Sequence, residues 1–424
     1  MSISRRKFLA LSAAGSAGYA SRAFASDRLT TGAITSVAPS MAKQQKLATH
    51  TEILAGKDQA PMLSLESLRA IEGAIDMYAG ILAAGGWSAL PAARYDVTAS
   101  PDLIFMLRQR MAAEFYLDAA SLNGPQAATL DSALVSAISS FQVNHGLIVS
   151  GRVDEKTRAE LNVPAGVRLF TLKENHPRVR EHITGLGSRY IAVNIPACQL
   201  ETIELGQIYS RHNVVAGKIE RPTPSLKSRV NNVIFNPYWN APASIVARDI
   251  IPKYLADPSY LEQMQIHVYD GSGGPEIEPS SVDWRNTSPD RYVFQQEPGK
   301  HNALASVKVN FPNKYMVYMH DTPHREGFTL NQRFESSGCV RVDQVHVLID
   351  WVMHGQEGYV DAMFDQIIAT RQTQQAIIKN PPDVRFMYLT AWATEDGRVN
   401  FRPDVYKLDG TGFVLGQPGP VVGL

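Results

Sequence analysis

Cysteine is scarce in this chain: Cys198 and Cys339 are the only two among 424 residues. That excludes a dense disulfide framework, and no C-x-x-C is present. Positive charge is not in excess either. Lys+Arg and Asp+Glu both number 41. Setting aside residues 1–25, with Arg5, Arg6, Lys7 and Arg22 and no acid, leaves 37 bases against 41 acids. Nothing here favours nucleic acid, which calls for a basic face. Long apolar runs are also missing. Beyond the first 25 residues no segment approaches eighteen consecutive apolar positions, so no transmembrane anchor is expected. The 44% hydrophobic content is that of an ordinary globular protein, and the length suggests two or three domains.

What is present begins with an export signal at 1–25. Ser4-Arg5-Arg6-Lys7-Phe8-Leu9 resembles a twin-arginine motif, a weakly apolar stretch follows, and Ala23-Phe24-Ala25 reads as a cleavage site. A general secretory signal is the alternative. Residues 26–60 are polar and without period, a flexible lead. Leu68, Ile71, Ile75, Tyr78 and Leu82 then recur at helical spacing and Gly85-Gly86 closes that helix. A second helix is expected over Ile104–Phe115, completing a helical scaffold at 61–125. A compact helical unit follows at 126–163, and Pro164 and Pro177 mark 164–187 as a linker. Short strands are expected at Tyr190–Ile195, Glu201–Ile208, Val214–Val215 and Asn231–Phe235, then a hairpin of Val307–Phe311 with Lys314–Met319. Residues 255–300 are irregular and rich in Gly, Pro and Ser, an insertion read as a cap that gates a site. Two helices, about Gln344–Met353 and Val360–Thr373, precede final strands at Val384–Trp392 and Arg398–Phe401. The end from Gly410 is expected to be loosely ordered.

The chemistry concentrates between Tyr315 and Val342. In a strand over Lys314–His320 the side chains alternate, so Met316, Tyr318 and His320 would share a face. Asp321-Thr-Pro ends that strand. Nineteen residues later comes Ser336-Ser337-Gly338-Cys339-Val340-Arg341. A free thiol has a pKa of about 8.5 and holds little thiolate at neutral pH. A neighbouring imidazole can take its proton and leave a strong nucleophile. Asp343 reads as the N-cap of the next helix, whose dipole would help only modestly, so His320 carries most of the activation. Gly338 permits a tight turn, letting the amides of Gly338 and Cys339 point at a developing oxyanion. Two other readings stay open. A Cys198–Cys339 disulfide suits an oxidising compartment, although Cys198 reads better as a small packed residue. His320, His324 and Cys339 have part of a zinc-site spacing, but no second cysteine pair.

The segment resembles the L,D-transpeptidases with a YkuD-type catalytic domain, in which a histidine is followed by Ser-x-Gly-Cys-[Val/Ile]-Arg. His320-Asp-Thr-Pro and Ser336-Ser-Gly-Cys-Val-Arg-Val are similar to the large, multidomain periplasmic subgroup. So are Val193-Asn-Ile-Pro196, Val214-Val-Ala-Gly-Lys218, Arg221-Pro-Thr-Pro224, Phe235-Asn-Pro-Tyr-Trp-Asn240, Asn302-Ala-Leu304 and Phe311-Pro-Asn313. The likeness runs over roughly residues 65 to 410. Within 126–163, Phe141-Gln142, Gly146-Leu147, Ser150-Gly151, Thr157 and Leu161-Asn162 resemble a small helical peptidoglycan-binding module. Ser150 stands where Asp is usual.

The resemblance implies an α+β multidomain fold. Its parts would be a β-rich catalytic domain at 188–375 with packed helices and an inserted cap, the helical scaffold and module before it, and strands and a tail at 376–424. It implies that Cys339 attacks a peptidoglycan stem tetrapeptide between the L-centre of diaminopimelate and terminal D-alanine. Loss of D-alanine would leave a thioester, and a second diaminopimelate amine would resolve it as a 3→3 cross-link. His320 would serve as base. Arg341 would position the loop or a stem carboxylate, Tyr318 line the oxyanion site or pack beside the base, and Ser337 hydrogen-bond within the loop or fix His320. The Asp321 carbonyl would orient the imidazole. No cofactor and no metal are implied, and carbapenems would acylate the cysteine. Stem peptides, and other cell-wall synthases, are the expected partners, in the periplasm. An L,D-carboxypeptidase on the same thioester, anchoring of a protein to peptidoglycan, and a non-catalytic wall-binding protein remain as alternatives.

Overall fold

A computed structural model describes residues 60–360 and 363–416. The leader at 1–25 and nearly all of the 26–60 lead lie outside the described residues.

Strands buried on both faces set the architecture. In Arg189–Asn194, Ile191 and Val193 enter one core while Tyr190 and Ala192 enter another, because successive side chains of a strand point to opposite sides. Around it runs an eleven-stranded mixed sheet. Its order is Gln374–Ile377, Asn232–Phe235, Val307–Asn310, Met319–His320, Val340–Val342, Gln207–Gly217, Gln199–Glu204, Arg189–Asn194, Asp383–Met387 and Leu226–Arg229, with Phe334–Ser336 added beside Gln207–Gly217. One face is covered by Val345–Met353 and Phe364–Ala369, through Leu348, Ile349, Val352 and Phe364. The other is covered by Ser67–Ala83 and Ala165–Ile183, through Ile71, Tyr78, Leu172 and Val179. The fold is α+β.

Several expectations are corrected. The 164–187 segment is the nineteen-residue helix Ala165–Ile183, not a linker. Pro164 sits at its N-cap, where a missing N–H costs nothing. Pro177 lies inside it, and buried Asn175 and Arg178 on either side tie the helix down. Arg178 donates to Asp409 at 2.6 Å and to the carbonyls of Leu408 and Phe413, and Asn175 exchanges hydrogen bonds with Thr390. Tertiary partners thus outweigh a local breaker. Those bonds also show that the chain beyond Gly410 is pinned, at least to Gly416, whose amide pairs with Ser225. Asp383–Met387 lies between two strands of the main sheet, so that sheet does not end at 375.

The expected strand Glu201–Ile208 is a hairpin. Leu205 and Gly206 both have positive φ, and Gln199–Glu204 pairs with Gln207–Gly217 across them. Gly206 was the visible signal, but leucine is a poor marker of such a turn. The cap begins at Trp239 rather than 255. Trp239–Ala241, Ile266–Tyr269 and Val293–Gln296 form their own three-stranded sheet over a core of Val246, Ile250, Leu261, Val268, Trp284 and Phe294. It is a folded layer, not an irregular excursion. In the helical part, Ile104, Leu107 and Met111 of Pro101–Ala113 share one core with Leu134, Ile138, Phe141 and Leu161. A division at residue 125 would cut through that core. Asp131 and Asp154 cap the helices Ser132–Asn144 and Glu155–Leu161 by accepting from backbone amides at 2.9 and 2.7 Å.

Gly217 is fixed by space. A Cβ there would lie 2.2 Å from the Arg221 carbonyl oxygen and 2.6 Å from the Thr223 amide nitrogen. Gly217→Ala should therefore force the 218–223 loop off its strand, at a cost of about 1–3 kcal/mol. A thermal melt should show a midpoint several degrees lower; an unchanged midpoint would mean the loop yields freely.

Candidate active site

Strand register assembles the site. Met319 pairs with Val340 and His320 with Arg341 in a parallel ladder, and on the other side His320 pairs with Lys308 in an antiparallel one. Partners in register project to the same side. Met319, Val340 and Val309 enter the core. Lys308, His320 and Arg341 therefore occupy the opposite face. One rung earlier, the Val340 amide donates to the Tyr318 carbonyl at 3.0 Å, which sets Tyr318 beside Cys339 on that same face. The Tyr318 and His320 rings lie 5.6 Å apart, centre to centre, and Lys308 Nζ stands 4.0 Å from the centre of the Tyr318 ring.

The strand that carries His320 is only Met319–His320. Met316 does not share its face: it has φ 56 and is exposed. The Asn313 side chain folds the preceding loop, bonding the carbonyls of Phe311 and Val317 and the amides of Tyr315 and Val317. The Pro312-Asn313 signal was a real turn, but it organises a loop through Val317 rather than a tight hairpin. Asp343 does not cap the next helix. Gln344, in the left-handed region, precedes Val345–Met353 as its N-cap, and Asp343 Oδ1 accepts from the neighbouring Gln344 amide at 3.0 Å.

His320 is buried and its Nδ1 lies 2.5 Å from the Asp321 carbonyl oxygen. A carbonyl only accepts, so Nδ1 carries the proton and Nε2 keeps its lone pair. Burial, with Arg341 and Lys308 nearby, pushes the imidazole pKa down to about 3 against the smaller upward pull of the Asp321 bond. The Asp321 carboxylate is engaged elsewhere, by Ser306 Oγ at 2.5 Å and Arg325 at 3.1 Å.

Cys339 is half-buried and unpaired with Cys198, as both cysteines are free. Burial raises its thiol pKa, although the amide and hydroxyl of Tyr318, Lys308 and Arg341 all favour the thiolate. No hydrogen bond joins Cys339 to His320 among the described residues. Tyr318 also takes a hydrogen bond from Trp239 of the cap, and burial beside Cys339 holds its phenol well above the usual range. Lys308 and Arg341 are both pulled down by burial, with Cys339 acting against that in each.

The turn before Cys339 is braced by the motif's own Ser336 and by residues outside the motif. Gly338 has φ 108, a region open to glycine. Its amide donates to Ser336 Oγ at 3.2 Å, and Ser336 Oγ donates onward to the Cys339 carbonyl at 2.5 Å. The Gly338 amide is thus occupied and does not stand as an oxyanion donor, which corrects that expectation. Ser337 is exposed and accepts from Arg221 at 2.9 Å, while Arg221 pairs with Asp249 of the cap at 2.6 Å. It lies on the loop-to-cap side rather than on the imidazole. Thr223 Oγ1 accepts from the Gly217 amide at 2.8 Å and donates to the Gly338 carbonyl at 2.9 Å. The Tyr406 hydroxyl donates to the Gly217 carbonyl and accepts from the Thr223 amide. His324 is exposed against Glu326. No cluster of three or more metal-ligating side chains occurs among the described residues. Lys308 and Trp239 were missed because only strand register and the cap's fold bring them to Tyr318.

Comparison with known proteins finds similarity over two parts of the chain. Residues 188–360 match the YkuD family, described as the L,D-transpeptidase catalytic domain, and residues 107–161 match the "Putative peptidoglycan binding domain" family. A Haemophilus influenzae protein described as "Putative L,D-transpeptidase" is 34% identical over 222 residues, which is 52% of this chain and 44% of that protein. The chain thus spans less than half the length of this relative. An L,D-transpeptidase structure from Xylanimonas cellulosilytica is 13% identical, covering 70% of this chain and 98% of the other at a TM-score of 0.22. One from Stackebrandtia nassauensis is 10% identical, covering 70% and 97% at 0.25. Scores this low carry no argument about the chain. The family matches are narrower: residues 188–360 are similar to YkuD-type L,D-transpeptidase catalytic domains. Ahead of that stretch, residues 107–161 are similar to the peptidoglycan-binding family.

The electrostatics give a pH signature. With the thiol pKa raised and the imidazole already neutral above about 3, labelling of Cys339 by a small thiol reagent should follow thiolate alone. The rate should keep climbing from about pH 5 to beyond about pH 8, with no step near the ordinary histidine value. A plateau across that range would reveal a resting thiolate–imidazolium pair instead.

Proposed function

We propose that this chain is an L,D-transpeptidase that forms 3→3 peptidoglycan cross-links through a thioester on Cys339. The observation that carries the reading is the shared sheet face of Cys339, Tyr318 and His320, with the imidazole held in the tautomer whose Nε2 can accept a proton. The sulfur attacks the carbonyl between diaminopimelate and terminal D-alanine. A C–S bond forms, the C–N bond breaks, and D-alanine leaves with a proton. The side-chain amine of a second diaminopimelate then attacks the thioester, forms a C–N bond and returns the thiol.

His320 moves those protons. Its conjugate acid is disfavoured beside Arg341 and Lys308, so transfer from the thiol waits until a carbonyl oxygen begins to gain negative charge on this face. The Tyr318 hydroxyl accepts from Trp239, which turns its own proton toward sulfur or oxyanion. The Cys339 amide is the second donor in this reading, since the Gly338 amide is taken. Arg341 and Lys308 supply positive charge, and the half-exposed Arg341 suits a stem carboxylate. The cap, joined to Tyr318 by Trp239 and to the Cys339 loop by Arg221–Asp249, bounds the entry for the stem. The leader at 1–25 would carry the protein by the twin-arginine route to the periplasm, where stem peptides and other cell-wall synthases are its partners. No helix among the described residues is long and apolar enough to cross a membrane.

Incubation with tetrapeptide muropeptides should give dimers and free D-alanine. Cys339→Ala should lose at least about a thousandfold in rate, as when a covalent nucleophile is removed. Tripeptide without dimer would replace this reading with an L,D-carboxypeptidase, and an inert native protein would leave a wall-binding role.

A carbapenem should add its mass to Cys339 in the native protein. Tyr318→Phe should slow that acylation by roughly a hundred- to a thousandfold, the range for loss of one oxyanion donor. An unchanged rate would remove Tyr318 from the chemistry.

A further inference from the structure

The loop Arg221-Pro222-Thr223-Pro224 lies against the turn that presents Cys339: a Cβ on Gly338 would stand 3.5 Å from the Pro222 carbonyl oxygen. One hydroxyl in that loop is unusually well aimed. Pro222 fixes its own φ, and Pro224 confines Thr223 to extended backbone. Threonine is itself stiff at χ1. Thr223 is fully buried, and its amide donates to the Tyr406 hydroxyl at 3.2 Å. Chain, rotamer and a distant partner thus hold a single oxygen in place.

That oxygen makes two bonds of opposite sense. It accepts from the Gly217 amide at 2.8 Å, and its own proton goes to the Gly338 carbonyl at 2.9 Å. A second tie runs beside it, since the Lys218 amide donates to the Ser336 carbonyl at 3.0 Å. The end of Gln207–Gly217 therefore grips the turn at two carbonyls, one before Ser337 and one after it.

The consequence lies one peptide further on. The amide between Gly338 and Cys339 is planar and trans, so its C=O and N–H point in opposite directions. Thr223 holds the C=O, which turns the Cys339 N–H away from the loop. That N–H donates to no group among the described residues, whereas the Gly338 N–H is taken by Ser336 Oγ at 3.2 Å. Of these two amides, only the one on Cys339 is left to meet charge on a substrate. Gly338 has φ 108 and no side chain to restrain it, so its peptide plane can swing unless something outside pins it.

We propose that Thr223 is a positioning residue for acyl transfer: by holding the Gly338 carbonyl it keeps the Cys339 amide aimed at the oxygen that turns negative when sulfur attacks. The inference rests on the acyl-transfer reading above and adds to it the group that orients its backbone donor. Thr223 acts through the peptide plane and is too deeply buried to meet a substrate.

Two reagents applied to Cys339 of the full chain test this, because only one builds an oxyanion. Iodoacetamide alkylates the thiolate: a C–S bond forms, a C–I bond breaks and iodide leaves, with the carbonyl oxygen unchanged. A carbapenem acylates it. Sulfur adds to the lactam carbonyl, its oxygen takes the charge, and the C–N bond then opens to a thioester while the thiol proton passes to nitrogen. Thr223→Val removes the hydroxyl at nearly constant volume. It should slow acylation roughly ten- to a hundredfold, the scale of a small misplacement at a reacting centre, and leave alkylation at the native rate. Thr223→Ser restores the hydroxyl and should acylate within about threefold of native, because the same two hydrogen bonds hold its rotamer. Equal slowing of both reactions by Thr223→Val, no slowing of either, or a Thr223→Ser as slow as Thr223→Val overturns the proposal. Should Thr223→Val fail to fold by circular dichroism, Tyr406→Phe decides. It keeps the Thr223 hydroxyl but frees the amide, and should slow acylation alone by roughly fivefold, the contribution of about one hydrogen bond; equal effects on both reagents overturn the proposal there too. A native chain that alkylates and never acylates overturns the acyl-transfer reading and this inference with it. A native chain that acylates, matched by Thr223→Val, overturns this inference alone.

Discussion

Two rungs of parallel pairing, Met319 with Val340 and His320 with Arg341, decide what the protein presents to its surroundings. A shift of one residue would turn His320 into the core and Met319 toward the substrate face. So short a ladder does not hold its register unaided. Antiparallel neighbours flank it, Val307–Asn310 on one side and Gln207–Gly217 on the other. The turn entering it is clamped from outside by Ser336 and Thr223, and through Thr223 by Tyr406 near the end of the chain. The position of Cys339 is thus an outcome of one local clamp, from Ser336, and several long-range contacts.

The face so assembled leans positive. Lys308 and Arg341 stand beside an imidazole and a thiol; the Asp321 carboxylate is turned to Ser306 and Arg325, and Glu335 and Glu326 act on Arg341. In that field both thiol and imidazole rest neutral. A site of this kind gains most when an oxygen becomes negative, because its dipoles and charges are already in place. The energetic cost of gathering like charges in the ground state is the counterpart of that readiness.

The sequence made the candidate pair legible and the architecture only partly so. Cys339 and His320 stood out because a glycine-preceded thiol and a strand-ending histidine are rare and chemically loaded. Ser336 was overshadowed by Ser337, since both are serines before Gly338 and only the turn's geometry shows which one bridges Gly338 to Cys339. Lys308 belonged to a recognised strand, yet its face depends on pairing with His320, and register is not written in local pattern. Proline misled at 177, where buried polar contacts of Asn175 and Arg178 override a breaker. Glycine and proline misled again at the cap, whose core residues are spread over short elements without a long period.

The chain's closing segment reaches back across the molecule. Asp383–Met387 fills a slot between Arg189–Asn194 and Leu226–Arg229, and Asp409 meets Arg178 across 231 positions of sequence. Contacts of such separation are slow to form, because a large loop must close before any of them is rewarded. A nascent chain therefore holds Cys339 in an unfinished sheet until the segment through Asp409 has left the ribosome.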